Sequence, residues 1–300
     1  MVRMSVIIAT RDRPGDLARC LAALAECVPE LHRAGAAATL AEVLVVDDAS
    51  TARLTPSVAN ATTLPVTLLR HRLPQGAAAS RTEAAHAATG EVLAFLDDDA
   101  LPRGDWLVAI AESVPALAPA VTGRVLRFDT DLLSRARQAR YDQRYRGVPA
   151  SGEVSFFAGG NSAIDAATFR AVGGFRSHSV GGDNQVAAVL AARGTPVRFV
   201  PGLVVVHRNS KGWRRACRDA IGAGRGHLDR ITVRQAARAL RAAAVGETGP
   251  VRNVNLLLGT LHLLARLAPG PGRGGDPGPP TPGSGCRATD PGLTRRREEV

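Results

Sequence analysis

The chain has 300 residues, 45% of them apolar, which is enough for one large domain or two small ones around a sizeable core. Its net charge is +11 and Lys211 is its single lysine, so the positive balance rests on arginine, an arginine- and alanine-rich bias that a GC-rich genome produces and that names no partner by itself. Cys20, Cys27, Cys217 and Cys286 form no Cys-x-x-Cys pair and read as free thiols, and no run reaches the ~20 apolar residues of a membrane helix.

Residues 4–9 (MSVIIA) read as a first strand, closed by a polar turn at 10–14. Over 16–28 the apolar residues Leu17, Cys20, Leu21, Leu24 and Val28 recur at helical spacing. Residues 42–46 (EVLVV) form a second strand that ends in Asp47 and Asp48, and 66–70 (VTLLR) a third. An alanine-rich helix over 76–88 leads into a fourth strand, 92–96 (VLAFL), which ends in Asp97, Asp98 and Asp99. Three adjacent carboxylates repel one another and need cations or solvent around them. Strands alternating with helices imply βαβ units and a mostly parallel sheet. In such sheets ligands bind beyond the carboxyl ends of the strands. If these strands are neighbours, Thr10-Arg11-Asp12, Asp47-Asp48 and the triple aspartate share one crevice.

The middle of the chain is less regular. A charged helix is expected over 129–146 and a strand with a glycine break over 154–164. A short helix follows at 165–172, a longer one at 183–193 closed by Gly194, and a strand pair over 197–206 leading to His207. An arginine-rich helical region covers 211–247, with apolar residues at helical spacing after 254. From 269 onward the chain is a run of Gly and Pro that cannot bury a core and is expected to be a disordered tail.

Several blocks together resemble glycosyltransferase family 2: SVIIATRDRP, VLVVDDAST, PQGAAASRTEAAHAATGEVLAFLDDD, GGNSAIDAATFRAVGGF, GGDNQVAAVLAARG and VVVHRN. Their order and spacing carry the resemblance, which covers about residues 4–210. It implies a GT-A fold, with a nucleotide-sugar half (1–122), an acceptor half (123–210) and a helical extension (211–268). It also implies transfer of a sugar from a nucleotide diphosphate, expected to be a UDP-sugar, to a hydroxyl acceptor, with inversion and a divalent cation, Mg²⁺ or Mn²⁺. Hard oxygen ligands suit such a cation, and a metal bridging two phosphates offsets the charge of the leaving group.

By the same resemblance Asp97, Asp99 and His207 are metal ligands. Asp48 accepts from the base, with Thr10, Arg11, Gly76 and Arg81 around the nucleotide, and Asp98 faces the ribose or solvent. Gly160 and Asn161 form the acceptor side. Asp183 is the candidate general base. Gly182 stands where the family usually has Glu, and Val189 where it usually has Arg, so the acceptor is left open. Trp106 is read as helix packing, and Trp213 beside Lys211 as part of a lid. Two rivals stand beside this reading. A nucleotidyltransferase would share the sheet and the acidic site, but the place after the first strand holds TRDRPGD rather than a glycine-rich basic loop. A non-catalytic role, on nucleic acid or a membrane surface, would use residues 208–268. Nucleic acid is not expected there, because interleaved aromatics are missing. Peripheral contact with an anionic membrane fits better than nucleic acid, a buried or dimer-forming helix over 254–267 stands open beside it, and a cytoplasmic place is expected.

Overall fold

The computed structural model describes residues 1–54, 62–175, 182–208, 212–226, 231–244 and 249–267. Nine strands form one sheet, in the order β3-β2-β1-β4-β8-β6-β9-β5 with β7 beside β9. The first strand, β1 (Val2–Thr10), pairs in parallel with both β2 (Ala38–Asp47) and β4 (Val92–Asp97), and β2 pairs in parallel with β3 (Val66–Arg70). Then β8 (Asn161–Asp165) runs antiparallel between β4 and β6 (Ala120–Arg127), and β6 pairs in parallel with β9 (Val197–His207). Two short strands, β5 (Ala100–Pro102) and β7 (Glu153–Val154), lie antiparallel to β9.

Helices cover both faces, which is why β4 is apolar without interruption from Val92 to Leu96. Side chains alternate across a strand. Met4, Val6 and Ile8 of β1 therefore join one core with α1 (Pro14–Arg33) and α3 (Trp106–Ser113). Ile7 joins the other, with α2 (Ala77–Ala87), α5 (Ala166–Val172) and α6 (Gly182–Ala192). A third core ties Leu133 and Ala136 of α4 (Leu132–Arg146) to Val251, Val254 and Leu258 of α9 (Gly249–Leu267). Against α9 also pack α7 (Trp213–Gly226) and α8 (Val233–Ala244). A Cβ on Gly224 of α7 would overlap the carbonyl of His262, so glycine there permits the close crossing of α7 and α9.

Through Asp99 the elements match their sequence pattern, and three features beyond it differ. The strand expected over 154–164 is two short strands, β7 and β8, joined by a loop carrying Gly159 and Gly160. The strand pair expected over 197–206 is the single strand β9. Its irregular register against β6 takes up Pro201, Gly202 and Leu203, at a step between Gly123 and Arg124. Neither β5 nor β6 was anticipated. Gly123 and Arg124 obscure β6 in the sequence, yet a Cβ on Gly123 would overlap the Leu203 carbonyl, so glycine is needed for β9 to lie there. Lys211 and the tail from 269 fall outside the described residues.

Candidate active site

Register brings the polar strand ends together. Ala9 lies opposite both Val46 and Asp97, and Thr10 lies opposite Asp47. The ladder runs one residue further, through Asp48 N–H to the Thr10 carbonyl at 2.9 Å and His71 N–H to the Asp47 carbonyl at 3.0 Å. Asp47, Asp48, Asp98 and Asp99 are all buried, at 0%, 6%, 3% and 7% exposure. So many carboxylates coexist in one place because each has an arginine or histidine partner. Asp47 pairs with Arg70, Asp48 with His71, and Asp97 with Arg81 and His207. Arg13 Nη1 spans Asp98 Oδ1 at 2.7 Å and Asp99 Oδ2 at 3.2 Å.

The outer two aspartates of the triple converge on His207, at the end of β9. Its Nε2 is 2.9 Å from Asp99 Oδ1 and 3.4 Å from Asp97 Oδ2. One ligand atom from each of the three residues lies within 4.8 Å of the others. Two carboxylates and an imidazole at this spacing can hold one Mn²⁺ or Mg²⁺ and leave positions for phosphate oxygens. Burial opposes a charge on His207, but its hydrogen bonds to Asp97 and Asp99 outweigh burial and push its pKa up to about 10. Without a cation the imidazolium itself offsets the two carboxylates. The fit is close on the Asp97 side too, where a Cβ on Gly160 would overlap that carboxylate.

Asp98 departs from expectation. It is buried rather than turned to solvent, and accepts from Thr10 Oγ1 at 2.7 Å and from Arg13. Burial raises its pKa to about 6, against the pull of Arg13 and Thr10. Thr10 is therefore engaged with Asp98, and Arg11 is exposed, with its Nε 3.7 Å from Asp12. Asn161 is a second correction. It is fully buried and does not face an acceptor: its Oδ1 accepts from Trp106 Nε1 at 2.9 Å, and its Nδ2 donates to the carbonyls of Arg124 and Leu203, both at 3.0 Å. It locks α3, β6 and β9 to β8, and Trp106 packs there as read from the sequence.

Around Asp48 the turn is tightly bonded. Its carboxylate accepts from the N–H groups of Gln75 at 2.7 Å and Gly76 at 2.9 Å. Gly76 adopts φ 88° and ψ 157°, a conformation essentially confined to glycine. Ala49, next to Asp48, holds φ 57°, which costs a non-glycine residue about 1–2 kcal/mol. Asp47 supports this loop, accepting from Ser50 N–H at 2.9 Å. On the other side of Asp97, Asp183 lies in the first turn of α6 rather than at its cap, and its Oδ2 accepts from Gly159 N–H at 3.1 Å.

Sequence reading passed over Arg13, His71 and Glu83. Arg13 lies inside the TRDRP turn, and His71 is the first residue after β3, level with Asp48. Position at a strand end was the available signal for both.

The family model for glycosyl transferase family 2 matches residues 5–173. Among solved structures, the mannosyltransferase PcManGT from Pyrobaculum calidifontis, in complex with GDP-Man and Mn²⁺, superposes with TM-score 0.58 and 24% identity, over 89% of this chain and 72% of that one. GalNAc-T7 with UDP, GalNAc and Mn²⁺ gives TM-score 0.55 and 16% identity, over 86% of this chain and 54% of that one. S. aureus TarS 1-349, solved with UDP-GlcNAc, gives 0.50 and 16%, over 80% and 70%. A search of curated proteins gave no match. The sheet with its flanking helices is the GT-A fold, and the chain belongs to glycosyl transferase family 2.

Proposed function

We propose that this protein transfers a sugar from a uridine diphosphate donor to a hydroxyl acceptor, with inversion and with a divalent cation held by Asp97, Asp99 and His207. The observation that carries the reading is the convergence of those three side chains, beside Arg81, at the carboxyl edge of the sheet. When bound, the cation would neutralise the developing charge of the diphosphate leaving group. Arg81 would add a second positive charge on the phosphate side. Asp48 takes the ring N–H of the base: three donors occupy its two oxygens, which offer about four lone pairs, so one acceptor position remains. Burial works against an ionised Asp48, but the donors from Gln75, His71 and Gly76 hold its pKa below the ordinary value.

On the acceptor side, Asp183 serves as the base. Gly159 N–H fixes its Oδ2, and the carboxylate takes the hydroxyl proton as the acceptor oxygen bonds to the anomeric carbon and the carbon–phosphate oxygen bond breaks. A glycine at 160 keeps the floor beside Asp97 open.

The structures that share the fold were solved with GDP-Man, UDP or UDP-GlcNAc, and two hold Mn²⁺. Incubation with a panel of nucleotide sugars and Mn²⁺ is expected to release nucleoside diphosphate only when both a UDP-sugar and an acceptor are present. Release of pyrophosphate instead would favour the nucleotidyltransferase reading.

A peripheral contact with an anionic membrane through α7–α9 is part of the same proposal. Across the described residues of these helices nine arginines face one acid, Asp219. Leu257, Leu264 and Leu267 of α9 are 48%, 59% and 41% exposed, apolar side chains that a bilayer would use and a nucleic acid would not. Among the described residues no helix is long and apolar enough to cross a membrane.

A further inference from the structure

His71 has so far been only one of three donors to Asp48, yet it is one of the most constrained side chains near the site. It is 3% exposed and follows β3 directly. Its Nδ1 lies 2.8 Å from Asp48 Oδ1, and its Nε2 lies 2.7 Å from Glu83 Oε2 on α2. Nδ1 is thus placed to donate to Asp48, with Nε2 turned to Glu83. The contacts thus tie the ends of β2 and β3 to the helix that carries Arg81. They also divide the work between the two oxygens of Asp48. Oδ1 accepts from His71 and from Gln75 N–H, which uses both its lone pairs, whereas Oδ2 accepts from Gly76 N–H alone among the described residues.

We propose that His71, backed by Glu83, is a positioning residue: it saturates Oδ1 of Asp48 and so aims the open lone pair of Oδ2 at the ring N–H of the donor nucleobase. This rests on the nucleotide-binding reading of Asp48 above. Without the ring, Oδ1 regains an open lone pair, the carboxylate can rotate between two equivalent ways of meeting a ligand, and base discrimination falls. Glu83 acts at one remove, by fixing the ring from its far side.

The test uses UDP and its N3-methyl counterpart, which lacks the ring N–H, titrated with Mn²⁺ present into the full chain and its variants. A hydrogen bond to a charged acceptor predicts that the unaltered protein prefers UDP by about tenfold or more. His71→Asn keeps an N–H near the Nδ1 position and retains most of that preference. His71→Gln places its amide nearer the Nε2 position, and the preference drops to within about twofold. In turnover its KM for the donor rises about tenfold while kcat holds, a split that general destabilisation would not give. Glu83→Gln lowers the preference by about threefold, and it carries the test if His71→Gln does not fold. Undiminished preference in His71→Gln, or in Glu83→Gln where the first variant does not fold, overturns the role of His71 and leaves the nucleotide site standing. Failure of the unaltered protein to bind UDP with Mn²⁺ overturns the nucleotide-binding reading itself, and the role of His71 with it.

Discussion

Two groups of like charges stand far apart in character. At the carboxyl edge of the sheet, five aspartates from two strand ends are buried or half-buried, and each is paired with an Arg or His drawn from another segment. Along α7–α9 the charges are almost all arginine and lie largely on the exposed side of the helices, with Arg215 paired to Asp219 at 2.8 Å. Burying charge is costly unless partners compensate it, so the first group points to a site built for a charged ligand. Exposed charge is cheap and screened by salt, so the second attracts only within a Debye length, ~10 Å, and weakly per residue. Substitutions in the two groups should therefore differ by orders of magnitude in effect.

The largest effect is expected at the proposed metal ligands. Asp99→Ala should bring cation-dependent transfer below detection and remove the cation dependence of UDP binding; wild-type turnover in this variant would break the comparison. Asp183→Asn should leave UDP binding unchanged and lower kcat by about 10²–10³-fold, as measured in steady-state assays once an acceptor is known. Gly160→Ala forces a methyl group onto the Asp97 carboxylate. Its Kd for Mn²⁺ should rise about 10–100-fold with little change in melting temperature, the signature of a displaced ligand.

A pH series sharpens the electrostatic side. His207 has a folded pKa of about 10 against an ordinary value of 6.5. In the cation-free protein its contribution to stability is fully present below pH 6.5 and is lost as pH rises through about 10. Thermal unfolding of wild type should therefore lose more between pH 7 and pH 10 than that of His207→Gln. Equal losses would mean that the ring is not held as an imidazolium. The smallest effect on turnover is expected from the helices. Changing Arg234, Arg238 and Arg241 of α8 together to Gln should leave turnover on a soluble acceptor within about twofold. The same change should reduce sedimentation with vesicles containing anionic lipid, at roughly 1 kcal/mol per arginine near the surface. Unchanged sedimentation would remove the membrane contact.

Much of the proposed donor side was legible because its signals are local. A buried parallel strand is a short apolar run, and its carboxyl end is marked by the first polar residues after it, so Asp47, Asp48 and Asp97 could be placed before any coordinates. Partnerships across strands were not legible. Nothing local says that Arg13 spans Asp98 and Asp99, or that the middle aspartate turns to Thr10 while its neighbours turn to His207. Asn161 was misplaced for the same reason. A polar residue after two glycines reads as a surface loop, whereas its amide is consumed by the Trp106 indole and two carbonyls from distant strands. Likewise β6 was hidden because its glycine and arginines obscure the apolar pattern, and only the approach of Leu203 explains Gly123.

Anomalous diffraction from crystals soaked with UDP and Mn²⁺ tests the cation site most directly. A single strong manganese peak is expected among the carboxylates of Asp97 and Asp99 and the imidazole of His207, with the UDP phosphates beside it. A nucleotide bound at the sheet edge with manganese absent from those three side chains, or bound elsewhere, would contradict it.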